Sequence, residues 1–119
     1  MTGAVIARWG GNVPGREAKG LEVFGKAVER FENLQKEGRI HGHHAYLAAT
    51  GRVGGFMIIE GEVEELQRIL VEPETLKLNS QAASICENFE MQLYIGGSDQ
   101  SVQQSIGTYV DGLAELGYM

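Results

Sequence analysis

The sequence predicts an α+β fold: a four-stranded antiparallel sheet, two principal helices on one of its faces, and an added helix at the C-terminus. Three observations carry that prediction. Short runs of strand-forming residues alternate along the chain with amphipathic helical segments. The cleanest strand, "FEMQLYIGG" (89–97), places Phe89, Met91, Leu93 and Ile95 on one face and Glu90, Gln92 and Tyr94 on the other. The clearest helix, within "REAKGLEVFGKAVERFENLQKEG", repeats large apolar residues at Leu21, Phe24, Val28, Phe31 and Leu34, a single stripe at helical spacing.

The remaining elements follow in order. "AVIARWG" (4–10) is a strand that ends at the turn-rich "GGNVPG", and Gly38 is a natural stop for the helix after it. "HHAYLAAT" (43–50) and "GFMIIEG" (55–61) form a hairpin joined by "GRVG". "EVEELQRILVE" (62–72) has Val63, Leu66, Ile69 and Leu70 on one side and acidic residues in its first turn, where the helix dipole favours them. Pro73 ends that helix or opens a new short turn as its first residue. The segment 73–88 is ambiguous, with its first half read as helix. "SDQSVQQSIGTYVDGLAELG" offers Ser98 or Asp99 as N-cap and carries Val102, Ile106, Tyr109, Val110, Leu113 and Leu116 at helical spacing, with Gly117 at the stop. The order β-α-β-β-α-β is the ferredoxin-like split βαβ arrangement. One domain is expected over 1–119, with its core in 4–96 and its added helix in 98–117.

Composition narrows the function classes. Net charge is −6 and no stretch concentrates Lys and Arg, which disfavours nucleic acid as a partner, since that affinity comes from neutralising phosphates with a basic face. Nothing approaches the roughly 20 apolar residues of a membrane span, and the N-terminal apolar run is too short for a signal peptide, so no membrane role is expected. Cys86 is the only cysteine, which excludes an intramolecular disulfide and a thiolate metal cluster; it reads as a small buried hydrophobe. These features predict a cytoplasmic location.

Helices on one face leave the other face of the sheet to be covered. That face is only half polar, and a free face with Tyr, Met, Ile and Trp is more apolar surface than a monomer usually leaves wet. Pairing of two copies, sheet on sheet, covers it, so a homodimer or a higher assembly is expected.

The β-α-β-β-α-β order, the small size, and "GEVEELQRILVEP", where an acidic helix follows the third strand and breaks at a proline, resemble the dimeric α+β barrel proteins. The resemblance is topological and covers about residues 4 to 96. The group includes cofactor-independent monooxygenases of antibiotic biosynthesis, lactone isomerases, haem-degrading and haem-containing relatives, and small YCII-like proteins. Haem-binding members place an axial histidine after the third strand, and this chain has no histidine beyond His44. The YCII-like pairing of His with Asp meets only Asp99 and Asp111 here, both near the C-terminus. No cofactor is expected, and the fold alone does not choose a function.

All three histidines lie in "HGHH". In a strand His43 and His44 point to opposite faces and cannot share an ion, while His41 belongs to the approach loop, so no metal site is expected. With Ala45, Leu47 and Ala49 toward the helices, His44 and Tyr46 share the other face with Gln92 and Tyr94. Apolar bodies with polar tips are the lining a small-molecule cavity uses, and a hydrogen-bonded dimer interface uses the same mixture. In the first of these readings His44 is the acid/base residue and Tyr46, Gln92 and Tyr94 bind a ligand. Arg8, which can hold a carboxylate, and Trp9, an apolar anchor, complete the candidates, though the two point to opposite faces. The expected function is small-molecule binding or cofactor-independent catalysis in a cavity between the sheet and the dimer partner. The alternative is a non-catalytic assembly protein that uses the sheet face and the C-terminal helix to oligomerise.

Overall fold

A computed structural model describes residues 1–119. The element order is β1 (Thr2–Trp9), α1 (Glu17–Lys36), β2 (Gly42–Leu47), β3 (Gly55–Glu62), α2 (Val63–Val71), α3 (Pro73–Ile85), β4 (Glu90–Ile95) and α4 (Asp99–Glu115). The strands form one sheet in the order β2-β3-β1-β4, and every neighbouring pair is antiparallel. This is the ferredoxin-like α+β arrangement.

Alternation along the strands decides which side is core. Val5 and Ala7 of β1 and Met57 and Ile59 of β3 are buried beneath Phe31 and Leu34 of α1 and Leu66 and Ile69 of α2. Burying each of these larger side chains contributes roughly 1.5–3 kcal/mol, which is what orders the helices on this face. Leu21, at the start of the predicted stripe, is instead exposed.

Two expectations change. The second strand stops at Leu47 rather than Thr50, because Ala48 N–H already closes the turn onto Gly54 O at 2.8 Å. The ambiguous 73–88 is helical through Ile85, so two helices, not one, lie between β3 and β4. Glu72 has extended backbone (φ −65°, ψ 142°), the conformation the ring of a following proline enforces, and Pro73 then opens α3 at its first turn.

The α2–α3 joint is fixed by charge. Arg39 donates to Glu65 (2.7 Å) and Glu72 (3.0 Å), while Arg30 of α1 reaches Glu72 (3.3 Å), Glu74 (2.6 Å) and the buried Thr75 hydroxyl (2.9 Å). Hydrogen bonds from Arg39 and then Arg68 hold the Glu65 carboxyl below the usual glutamate range. Together these contacts set α3 at a fixed height beside α1.

Candidate functional site

Between the helices and the sheet lies a cavity of about 440 Å3. Its floor is Ala7, Trp9, Met57 and Met91; its walls are Phe24, Ala27 and Phe31 of α1 and Leu78, Asn79 and Ala82 of α3. The space exists because small residues stand where a packed core would place large ones: Ala7 on β1, Gly20 and Ala27 on α1, Ala82 on α3. Trp9 meets Phe24 edge-on, with ring centroids 6.0 Å apart. The mouth is rimmed by the exposed Leu21, Leu47 and Val53.

Polar groups enter this space at few points. No Asp, Glu, Lys, Arg or His lines it, and its polar side chains are Asn12, Asn79, Thr75 and Cys86, with the indole of Trp9. Asn12 is held from both sides of its backbone: Gly10 N–H donates to Glu87 O (2.7 Å), Glu87 N–H to Gly11 O (2.8 Å) and Val13 N–H to Ile85 O (2.8 Å). The "GGNVPG" stretch, predicted as a turn, is therefore stitched against the chain that leads into β4, and Asn12 pairs with Cys86 as a β-bridge. Gly20 makes room for the Asn12 amide, since a Cβ at that position would lie 2.7 Å from Asn12 Oδ1. Burial pushes the Cys86 thiol up, so at neutral pH it is a protonated, weakly polar wall rather than a nucleophile.

Several solved structures share this architecture. SnoaB from Streptomyces nogalater, a cofactor-independent oxygenase, superposes with a TM-score of 0.60 at 16% identity, covering 82% of this chain and 94% of its own. A conserved protein from Methanosarcina mazei gives 0.61 at 14% identity, covering 79% and 92%. A dimeric protein of unknown function and ferredoxin-like fold from Bacteroides fragilis gives 0.56 at 17%, covering 78% and 94%. The fold shared with these structures is the ferredoxin-like one. No family model matches the sequence, and no curated protein matches it.

Within this fold the residues singled out from sequence divide between two faces. Trp9 alone lines the cavity; Arg8, His44, Tyr46, Gln92 and Tyr94 stand on the open face of the sheet. The cross-strand register arranges that face in rows: Gly42, Glu60, Ala4, Tyr94; then His44, Ile58, Ile6, Gln92; then Tyr46, Phe56, Arg8, Glu90. His44 and Tyr94 share the face, as the alternation predicts, yet occupy opposite edges, three strand spacings or about 14 Å apart. On one edge His44 Nε2 lies 3.3 Å from Glu60 Oε1, and Tyr46 stacks on Phe56 with centroids 5.0 Å apart. On the other, Arg8 donates to the Tyr94 hydroxyl (3.2 Å), which donates to Gln92 Oε1 (3.1 Å). His43 points to the helices and meets Gln35 Oε1 at 2.9 Å, and His41 lies 3.9 Å from Glu62; the three histidines converge on no common point.

Sequence reasoning passed over Asn12, Asn79 and the small residues that open the cavity. The available signal was Gly20 and Ala27, each one residue before a member of the large-residue stripe, so that two small residues sit beside the stripe's Phe24 and Phe31.

Proposed function

We propose that the chain binds an uncharged, ring-bearing small molecule in the cavity between the sheet and helices α1 and α3. The observation that carries this reading is a cavity of about 440 Å3 whose lining holds no charged side chain. An ionised ligand would lose its hydration there with no counter-charge to replace it. Trp9, Phe24 and Phe31 offer ring faces and edges, and the amides of Asn12 and Asn79 offer a donor and an acceptor to a hydroxyl or carbonyl group.

The likeness to a cofactor-independent oxygenase supports a reaction as well as binding. Without a cofactor the electrons for dioxygen come from the substrate, so the substrate class is an electron-rich phenol or enol. In its keto tautomer such a substrate carries a ring methylene, and the conversion takes that methylene and one dioxygen to one ring carbonyl and one water. Two C–H bonds and the O–O bond break, one oxygen enters the ring carbon, and the other leaves as water with both hydrogens. Asn12 and Asn79 would hold the phenolic oxygen, and the apolar walls would exclude water from the intermediate.

Two copies pair through the open sheet face. A two-fold axis parallel to the strands lays β2 of one copy over β4 of the other. The rows then match: Tyr94 over Gly42, Ile6 over Ile58, His44 over Gln92, Tyr46 over Glu90 and Arg8 over Phe56. Tyr94 meets a glycine and Glu60 meets Ala4, the two isoleucines meet at the centre, and His44 meets the Gln92 amide. On this reading His44, Tyr46, Gln92, Tyr94 and Arg8 serve assembly. A second reading keeps chemistry on this face, with His44 as acid/base beside Glu60, on the strength of their 3.3 Å approach. His44→Ala separates the two: loss of turnover with the dimer intact supports chemistry, and loss of the dimer supports assembly.

The binding test uses Trp9, the only tryptophan, as reporter. The uncharged probe N-phenyl-1-naphthylamine should quench Trp9 by energy transfer, while its anionic sulfonate analogue binds at least about tenfold more weakly. Ala27→Phe, which fills the cavity, should abolish the transfer. Equal binding of the two probes, or transfer that survives Ala27→Phe, overturns the reading.

A further inference from the structure

Helix α4 leaves the body of the protein almost bare. Its root is rigid: Ser98 caps it by accepting from Ser101 N–H (3.2 Å), Thr2 N–H donates to Ser101 Oγ (2.9 Å), and Thr2 Oγ1 donates to Gly96 O (2.7 Å). Beyond Ser101 no residue of the helix is buried. The radius of gyration is 16.6 Å and the longest dimension 52 Å, against roughly 13–14 Å expected for the radius of a compact chain of this length.

Intrinsic propensity does not account for so exposed a helix. Gly107 and Gly112 lie in its interior, each about 1 kcal/mol worse than Ala, and Thr108, Tyr109 and Val110 are weak helix formers. Short helices of this composition are marginal in water unless an apolar face is packed.

That face is a narrow seam. Val102, Ile106, Tyr109, Leu113 and Leu116 recur at spacings of 4, 3, 4 and 3, a strict seven-residue repeat rather than the broader stripe of a helix lying on a core. Ile106, Tyr109 and Leu116 are 55, 66 and 73% exposed. Gln103, Ser105, Val110 and Gly112 flank the seam and carry no charge, while Asp111 and Glu115 fall on the far side.

We infer that α4 is a homotypic pairing arm, whose seam closes against α4 of a second copy as a short coiled coil. The charge placement selects that occupant. The helix is acidic and has no Lys or Arg, so two copies could repel, yet both carboxylates that follow its first turn point away from the seam. A basic partner would find no acidic flank beside the seam to pair with. A helix of 17 residues is about 25 Å long, and two of them bury on the order of 800–1,000 Å2 in total, below the size of a standard specific interface and in the range of a weak, reversible pairing. The pairing is distinct from that of the sheet face and joins sheet-paired dimers into a larger assembly that dissociates first on dilution.

The test places a cysteine on either side of α4 in the full chain, with Cys86→Ser as background. A short bismaleimide should cross-link Tyr109→Cys into a covalent dimer and leave Asp111→Cys, on the opposite side of the same helix, as single chains. In parallel, light scattering should show Ile106→Asp/Leu113→Asp at the mass of the sheet-paired dimer, below that of the parent, with the sheet and helix signature in circular dichroism otherwise kept. Ile58→Asp, directed at the sheet face, should leave the Tyr109→Cys cross-link in place, so failure of one pairing is told apart from failure of the other. Cross-linking that is equal at the two positions, absent at Tyr109→Cys, or accompanied by unchanged mass in the double variant overturns the inference.

Discussion

The two faces of the sheet are built from alternate residues of the same strands, yet they solve different problems. The helix face buries Val5, Met57 and Ile59 and keeps charge out of its cavity. The open face sets Ile6 and Ile58 at its centre and arranges His44, Glu60, Arg8, Glu90 and Tyr94 around them. An uncharged lining suits a small ligand that leaves its water behind; an apolar centre with a polar rim suits another protein surface. A residue's neighbour in sequence thus says little about its task, while the residue two positions away says a great deal.

The sharpest way to break this comparison is to change adjacent residues on opposite faces. Ile59→Ala, in the packed core, should cost about 2–5 kcal/mol in urea unfolding, whereas Ile58→Ala should cost well under that in the separated chain. Equal losses would mean that the open face is as tightly packed as the core. Ile58→Asp should next abolish sheet pairing, with a rise in the dimer dissociation constant of roughly a hundredfold or more, because a carboxylate would be buried without a partner. Analytical ultracentrifugation reads it, and an unchanged dimer would remove the open face from assembly.

A smaller effect tests the cavity wall. Gly→Ala inside a helix normally stabilises by about 1 kcal/mol, but at Gly20 the new methyl would strike the Asn12 amide, so no gain in thermal stability is expected and Trp9 emission should shift. A full gain would show that Asn12 is not held where the structure has it.

Acid titration tests the joint that sets α3 over the cavity. The Glu65 carboxyl is lowered by Arg39 and Arg68, so its folded value lies below its unfolded one. Its contribution is present above the unfolded value and is lost as pH falls through the folded one. The melting temperature should therefore drop on acidification below the usual glutamate range, and Arg39→Gln should flatten that drop. The smallest effect is at Cys86: with its thiol pushed up by burial, alkylation by iodoacetamide at neutral pH should run slower than for a free thiol.

The elements with large apolar residues were legible in advance. Phe31 and Leu34 on α1, Leu66 and Ile69 on α2, and the alternation of β4 all declare themselves by period. Helix α3 did not, and the reason is physical. Its inward positions Thr75, Leu78, Asn79, Ala82 and Ile85 recur at helical spacing, but three of the five are small or polar because they face a cavity instead of a packed core. A segment that lines empty space carries a weak hydrophobic signal.

The sequence by itself determined the order of the four strands and of helices α1, α2 and α4, the ferredoxin-like topology, the division of each strand into two faces, and the separation of His43 from His44. Those follow from local sterics and from a side-chain period of two or 3.6, which act within a few residues. Only the tertiary structure decided that the cavity lies on the helix side, that Asn12 and Asn79 enter it, that His44 and Tyr94 stand at opposite edges, and that α4 projects from its capped root. Each of these depends on the strand order β2-β3-β1-β4 and on the height at which α1 and α3 ride above the sheet. Such distances are fixed by the sum of many side-chain volumes and one charged joint, and no local pattern encodes them.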